Sequence, residues 1–370
     1  MTQPRAPSSR GRFCVRENRN LKGNYQEMKT GRLITICLAL ALCAAAARPA
    51  LAANAAVLSA RASADSRDLI LELAMHPDSD STAAPVSHTV PGGLDELAEF
   101  ETWYEELFAL TYLTGDNGRL WKQLRTRTAA MSKKFLSDEM ISFIQGADLL
   151  IVADSDFPFP ADVLRVEDKW LFEIAPIVHT AGMPGKIPDL TDDYKYRNVF
   201  VMDCQGPADR EGQEAPGVAA FLQKSGIEHT TALTLDNESA AAALRDTQAD
   251  VLHLATHAHP DEFFPGRGKT GIPAARLKDL PTRFRTVLST GCNTGHPVFA
   301  DAMLDDGTRF YIASMYKTSG KDGIRFGSDF YSNLFSGMTP FQAFYEVKRQ
   351  NITGSKSSYP DILRFVFYVK

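Results

Sequence analysis

From residue 148 to the C-terminus, short apolar runs alternate with segments whose apolar residues recur every three or four positions. The short runs are typical of buried strands, and the recurring positions are those of one helix face. Predicted strands cover residues 149–153, 175–179, 199–202, 229–235, 310–314 and 363–368, together with runs that begin at 251 and 287. Predicted helices cover 214–225, 239–244, 297–304 and 323–335, and another begins at 339. This alternation indicates an α/β fold with a mostly parallel sheet covered by helices on both faces.

The chain before residue 148 has a different pattern. Apolar residues at helical spacing predict a helix over 94–113, and a second helix is expected over about 119–145. Residues 53–92 are rich in Ala, Ser, Asp and Pro, which favours a linker or a weakly ordered arm. The predicted organisation is therefore an N-terminal extension over 1–52, a linker over 53–92 and a single domain over 93–370.

The N-terminal extension has the pattern of a secretory signal peptide. Residues 28–32 are basic, 33–47 form an uncharged apolar run, and the small residues of 50–52 suit cleavage near Ala52. Residues 1–27 are polar and basic, so Met28 is a candidate start of translation. The sequence thus predicts an exported protein, periplasmic or secreted. A membrane anchor is the alternative, although the apolar run is short for a membrane span.

Removal of residues 1–52 leaves 31 basic and 43 acidic residues, a net charge of −12. Such a surface repels nucleic acid and does not attract anionic lipid, so we expect neither nucleic acid nor membrane as a partner of the mature chain. Of five cysteines, only Cys204 and Cys292 remain. Two cysteines do not make a disulfide scaffold, but a single bridge between them is an alternative to two thiols.

The runs that begin at 251 and 287 each end beside a reactive side chain. VLHLATHA (251–258) contains His257, and VLSTGCNTG (287–295) contains Cys292. If the two strands are neighbours in a parallel sheet, both side chains lie at the carboxyl edge where ligands bind. A base beside a thiol is the arrangement of cysteine nucleophiles, and the backbone amides of Ala258 and Cys292 would hold an oxyanion. From the residues alone, a buried structural Cys292 is an equally good interpretation.

These two stretches resemble the His and Cys motifs of CHAT-domain peptidases, which are caspase-like cysteine peptidases of clan CD related to separases. Further stretches are similar to that family in the same order: 149–154 with 157–160 and 170–171, then 311–315, and then 330–337. The similarity covers about 95–370. The resemblance implies a caspase-like three-layer α/β/α sandwich and an endopeptidase that works through an acyl-thioester without a cofactor. Its substrate would be a protein or peptide, and the sequence does not indicate an oligomeric state.

The resemblance implies a role for each matching residue. His257 would be the catalytic histidine, Cys292 the nucleophile and His253 a structural histidine. Ala258 stands where the family usually has Gly, and residues 316–319 replace its usual Trp…Pro-Val-Asp-Asp stretch. These departures keep open a different class of function, a catalytically silent CHAT-like protein-binding module.

The specificity pocket of caspase-like folds lies near the ends of the first and the third to fifth strands. The charged residues in those regions are Asp203, Arg210 and Lys317. An acidic lining would select Lys or Arg before the cleaved bond, whereas Arg210 or Lys317 would select Asp or Glu. The sequence leaves this choice open.

A metal-dependent hydrolase is a minor alternative. Residues 256–261 imitate a His-x-His-x-Asp ligand run, but Glu262 follows where a further His is expected, and His296 is the last histidine. A closed set of ligands is not evident, so no metal site is predicted. His296 is also a second candidate base near Cys292. The stretch 266–270 imitates a phosphate loop but lacks the required Gly, and predicts a surface loop.

Overall fold

The computed structural model describes residues 54–114, 117–204, 213–233, 236–264, 271–279, 284–304, 308–352 and 360–370. All of them belong to one compact unit that runs from Ala50 to Lys370. None of the described helices combines the length and the apolar character needed to cross a membrane.

The strands are β1 (Ala55–Ala62), β2 (Leu69–Met75), β3 (Val86–Val90), β4 (Leu149–Asp154), β5 (Arg165–Val166), β6 (Lys169–Trp170), β7 (Ile177–Ala181), β8 (Asn198–Asp203), β9 (Glu228–Leu233), β10 (Val251–Ala255), β11 (His257–His259), β12 (Glu262–Phe264), β13 (Ile272–Pro273), β14 (Thr286–Ser289), β15 (Phe310–Ser314) and β16 (Phe365–Val369).

The helices are α1 (Gly93–Thr114), α2 (Asn117–Phe135), α3 (Asp138–Gln145), α4 (Leu171–Ile174), α5 (Glu214–Lys224), α6 (Asn237–Asp246), α7 (Ala274–Leu277), α8 (Pro297–Met303), α9 (Gly320–Phe335) and α10 (Pro340–Asn351). Short 3-10 turns lie at Ala161–Val163 and Pro360–Arg364.

Eleven strands form one sheet in the order β3-β2-β1-β4-β7-β16-β15-β14-β10-β8-β9. Neighbours are parallel except for the pairs β1–β2, β2–β3 and β15–β16. The five strands from β15 to β9 are therefore parallel to one another, and their carboxyl ends share one edge. The predicted mostly parallel sheet is confirmed.

Side chains of successive residues point to opposite faces of the sheet, and each face meets different helices. His253 of β10 contacts Glu214 of α5 and Tyr331 of α9, while Phe367 of β16 packs on Phe344 of α10. On the other face, side chains of β15 and β16 reach residues 294–295, which lead into α8. This gives the predicted three layers, with the sheet in the middle.

The predicted linker over 53–92 is wrong. This stretch contributes β1, β2 and β3 to the sheet, and β1 is paired on both sides, with β2 and β4. The sequence of β1, AAVLSARA, has few of the β-branched and aromatic residues that mark strands. Two partner strands supply its hydrogen bonds and bury it, so tertiary context determines this strand.

Two smaller predictions also differ from the structure. The single helix expected over 119–145 is two helices, α2 and α3, because Ser137 accepts a hydrogen bond from the Met140 amide and begins α3 as its N-cap. The final strand, predicted over 363–368 without a place in the strand order, lies inside the sheet, between β7 and β15. Its position makes β16 the strand that joins the two parallel parts.

Candidate active site

The strands that carry His257 and Cys292 are neighbours. β10 and β14 pair in parallel, with Leu254 opposite Ser289, and the Thr290 amide donates to the Leu254 carbonyl at 3.1 Å. The segments that follow β10 and β14 therefore leave the sheet at the same edge. This confirms that the two strands are adjacent.

These two segments are also in contact just before His257 and Cys292. A Cβ atom added at Gly291 would lie 2.9 Å from Thr256 Cγ2 and 3.0 Å from the Thr256 carbonyl oxygen. Only glycine allows this approach, which holds the residue before Cys292 against the residue before His257. His257 then begins the short hairpin of β11 and β12, in which Ala258 lies opposite Phe263.

The loop that follows Cys292 is fixed by the neighbouring strands. The Tyr311 hydroxyl donates to the Thr294 carbonyl at 2.8 Å, and the Tyr368 hydroxyl lies 2.8 Å from the Gly295 carbonyl. The Gly295 amide donates to the Ser314 carbonyl at 2.7 Å. Asn293 takes a left-handed conformation, with φ 58°, which asparagine tolerates better than most residues. Cys292 thus lies at the start of a loop that contacts with β15 and β16 hold in place.

The two thiols have opposite environments. Cys292 is half-buried, and its Sγ lies 3.8 Å from the Thr318 carbonyl oxygen. Cys204 is fully buried at the end of β8, where burial and the nearby Asp203 raise the pKa of its thiol. Neither residue is in a disulfide, so the single bridge considered from the sequence is excluded. Cys292 is therefore the more exposed of the two thiols.

A buried polar group supports these strands from the α5 and α9 side. His253 is wholly buried; its Nδ1 lies 2.9 Å from the Tyr331 hydroxyl and its Nε2 lies 3.0 Å from Glu214 Oε1. The Thr290 hydroxyl donates to the same Glu214 oxygen. Both ring nitrogens of His253 are therefore used by buried partners, whereas the half-buried His257 lies at the edge of the sheet.

The predicted substrate-binding candidates do not lie together. Asp203 ends β8 opposite Ala255 and is 4% exposed. Lys317 follows β15, and its Nζ lies 2.5 Å from Glu105 Oε2 of α1. Three strand spacings, roughly 14 Å, separate β8 from β15, so the two charges flank β10 and β14 from opposite sides. Arg210 lies outside the described residues.

Helix α1 reaches the segment beside Cys292, which the sequence does not indicate. The ring of Tyr316 lies 4.8 Å from that of Tyr104 in α1. The Arg364 guanidinium lies 3.8 Å from the centre of the Phe108 ring and donates to the Lys317 carbonyl. The aromatic positions of α1 are visible in the sequence as a helix face, but the segment that they contact is more than 200 residues away and carries no matching pattern.

His296 acts as a helix cap. Its Nδ1 accepts a hydrogen bond from the Val298 amide at 3.4 Å, at the start of α8, and burial lowers its pKa. Over the described ranges of the chain, no group of three or more His, Cys, Asp and Glu side chains could hold a metal ion. The stretch 266–270 lies outside those ranges.

Together these features define an α/β protein with a caspase-like sheet and with a histidine and a cysteine at the carboxyl edge of adjacent strands. The CHAT domain family matches residues 39–362, and the chain belongs to this family. The match begins before the predicted domain start at 93, in agreement with the strands found over 55–90.

Solved structures similar to the chain include two of the separase–securin complex of Saccharomyces cerevisiae. The structure at 2.6 Å is 9% identical with a TM-score of 0.49, and the structure at 3.0 Å is 8% identical with a TM-score of 0.47. Each comparison covers 85% of this chain but only 30% of the separase chain. A search of the curated proteins found no match.

Proposed function

We propose that the chain is a cysteine endopeptidase with Cys292 as the nucleophile. The observation that supports this most directly is the adjacency of β10 and β14, with Gly291 packed against Thr256. In this mechanism the Cys292 thiolate attacks the scissile carbonyl and forms a bond from sulfur to carbon. His257 takes the thiol proton and delivers it to the leaving amine. Water then hydrolyses the thioester and restores the thiol.

The backbone amides of Ala258 and Cys292 are the proposed donors to the oxyanion. A methyl group at residue 258 does not remove the amide, so the departure from the family's usual Gly is compatible with this role. The hairpin of β11 and β12 holds Ala258 in a defined conformation, since it is paired across to Phe263.

The experiment is to profile a peptide library with the wild-type chain and with Cys292→Ala and His257→Ala. We expect cleavage by the wild type and at least a 10³-fold loss in both variants, because the two groups act as one unit. Cys204→Ala is the matched control and should retain activity. Cleavage that survives in Cys292→Ala would exclude the proposal.

The same library distinguishes the substrate-binding candidates. Cleavage after Lys or Arg, lost in Asp203→Asn, would assign the pocket to Asp203. Cleavage after Asp or Glu, lost in Lys317→Met, would assign it to Lys317. The existing ion pair of Lys317 with Glu105 favours the first outcome, since a substrate carboxylate would have to compete with Glu105 for the Lys317 ammonium.

A silent protein-binding module is the second candidate. It is favoured by the packing of residues 316–317, which contact α1 and occupy a position that differs from the family's usual sequence. An acylating thiol probe separates the two functions. Stoichiometric labelling of Cys292 that His257→Ala abolishes supports the enzyme, whereas equal labelling in both supports the module.

We also propose that the protein is exported, on the basis of the signal-peptide pattern over 28–52. N-terminal sequencing of the protein from the periplasm or medium should give a mature chain that starts near residue 53. An intact N-terminus in the cytoplasmic fraction would contradict export.

A further inference from the structure

Helix α2 carries a basic surface that the peptidase mechanism does not use. Its 19 residues include six Lys or Arg and no Asp or Glu. Its neighbour α1 has the opposite composition, with six Asp or Glu and no Lys or Arg. Two of the basic residues form ion pairs with α1: Arg127 and Lys134 both pair with Glu96, at nitrogen–oxygen distances of 2.8 and 2.9 Å. Arg119 and Lys122 lie nearer the start of α2, and both are exposed.

A groove lies between the two helices at this position. It has a volume of about 630 Å³, and Trp103, Arg119, Lys122, Thr126 and Arg127 are among the residues that line it. Arg119, Lys122 and Thr126 follow one another at intervals of three and four, so they form one wall from the same face of α2. Trp103 of α1 forms part of the opposite wall and is only half-buried against Phe100.

A second, smaller groove shares Trp103 but has the opposite charge. It is lined by Glu99 and Glu106 of α1. An anionic ligand is therefore attracted to the α2 side and repelled a few residues away. The basic wall runs from Arg119 to Arg127, roughly 12 Å along the helix, which matches about four residues of extended peptide.

These dimensions favour a short acidic peptide over a longer polyanion. Nucleic acid would carry its phosphates beyond the groove and onto the acidic residues of α1. A peptide can place two or three carboxylates on the basic wall and end there. It can also offer an apolar side chain to the indole of Trp103.

We propose that the groove between α1 and α2 is a docking site for a short acidic segment of a protein partner. The carboxylates of that segment bind Arg119 and Lys122, and one bulky apolar side chain packs on Trp103. The residues that line the groove belong to α1 and α2 and not to the segments that carry His257 and Cys292, and its existence does not depend on peptidase activity.

The test uses the full chain with Cys292→Ala, so that no cleavage interferes, and a fluorescein-labelled peptide of Glu and Asp with one central Phe. Binding is followed by anisotropy at low salt. We expect Lys122→Glu to weaken binding roughly fivefold or more, because it replaces an attraction by a repulsion. Lys133→Glu is the matched control, with the same charge change on an exposed residue of the same helix outside the groove, and should alter binding less than about twofold.

Two further measurements test the chemistry of the occupant. Replacement of the peptide's Phe by Ser should weaken binding, and the bound Phe peptide should protect Trp103 from acrylamide quenching, since Trp121 and Trp170 are already buried. Equal losses in Lys122→Glu and Lys133→Glu would show general charge attraction and overturn the proposal. Tighter binding of a single-stranded oligonucleotide, or equal binding of a matched Lys peptide, would overturn it as well.

Discussion

At the scale of single residues, Lys317 is the cation whose charge is coupled to the thiol. Its pKa is raised first by the hydrogen bond to Glu105 and, among smaller contributions, by the negative charge of Cys292. Thr318 follows Lys317 in the sequence, and its carbonyl oxygen contacts the Cys292 Sγ. The thiolate is the reactive form of cysteine, and a nearby cation favours it.

Lys317→Met should therefore slow the alkylation of Cys292 by iodoacetamide at pH 7. Lys317 is largely exposed, so solvent screening limits the effect to that of a surface ion pair, and we expect a loss of about two- to fivefold. The loss should shrink at high salt, and Lys317→Arg should restore the rate. An unchanged rate in Lys317→Met at low salt would show that the ammonium does not act on the thiol.

His179 is a second residue whose charge depends on its neighbours. It is fully buried, with Nδ1 2.7 Å from Asp154 and Nε2 2.7 Å from Asp162, which also binds Lys348. Burial alone lowers the pKa of His179, but the charges and hydrogen bonds of the two carboxyl groups outweigh it and raise the pKa to about 9. The imidazole is therefore protonated in the folded protein at neutral pH.

This shift predicts a loss of stability at alkaline pH. Because the folded pKa is above the unfolded value of about 6.5, the stabilisation is complete below that pH and disappears as the pH rises through 9. The expected contribution is on the order of 3 kcal/mol. Thermal melts between pH 6 and 9 should show the decline in the wild type, and His179→Gln should be less stable at pH 6 with a flatter profile. Parallel profiles would assign the decline to other groups.

At the scale of elements, the sequence predicts the helices and strands whose own residues show a clear hydrophobic pattern. Helices α1, α5 and α9 and the run of β4 have clear periodicity or apolar length, and the structure places them within a few residues of the prediction. β1 was missed because its partners, not its residues, determine its conformation. The adjacency of β10 and β14 followed from the parallel α/β pattern, whereas the contact of α1 with the segment after β15 could not be derived from it.

Gly323 of α9 lies in close contact with α5. A Cβ atom at Gly323 would lie 2.2 Å from Glu214 Oε1, the oxygen that binds His253 and Thr290. Gly323→Ala must displace this buried carboxylate, and we expect a loss of about 1–2 kcal/mol in urea unfolding, the overpacking cost minus the helix preference of alanine. Gly146→Ala is the control, because its nearest contact would be an ordinary 3.5 Å, and it should be neutral or stabilising. Equal stabilities of the two variants would show that Glu214 can move without cost.

At the scale of the whole molecule, β16 joins two sets of strands. It pairs in parallel with β7 on one side and antiparallel with β15 on the other. The Tyr368 hydroxyl of β16 lies 2.8 Å from both Asp154 Oδ2 of β4 and the Gly295 carbonyl beside the candidate site. Because buried contacts of this kind connect the two sets of strands, we expect the sheet to be one cooperative unit whose strands unfold together.

Cys204 offers a direct test of this cooperativity. Its thiol is buried directly after β8, near the far edge of the sheet from β1, and should react with a thiol reagent only after unfolding. Leu58→Ala creates a cavity in β1 that costs about 2–5 kcal/mol, which should speed Cys204 labelling at least tenfold if the sheet unfolds as a whole. Leu222→Ala in α5, beside β8, should speed it in either case. Labelling of Cys204 that stays at the wild-type rate in Leu58→Ala, despite a measured loss of stability, would show that β1–β4 unfold independently of the strands that carry His257 and Cys292.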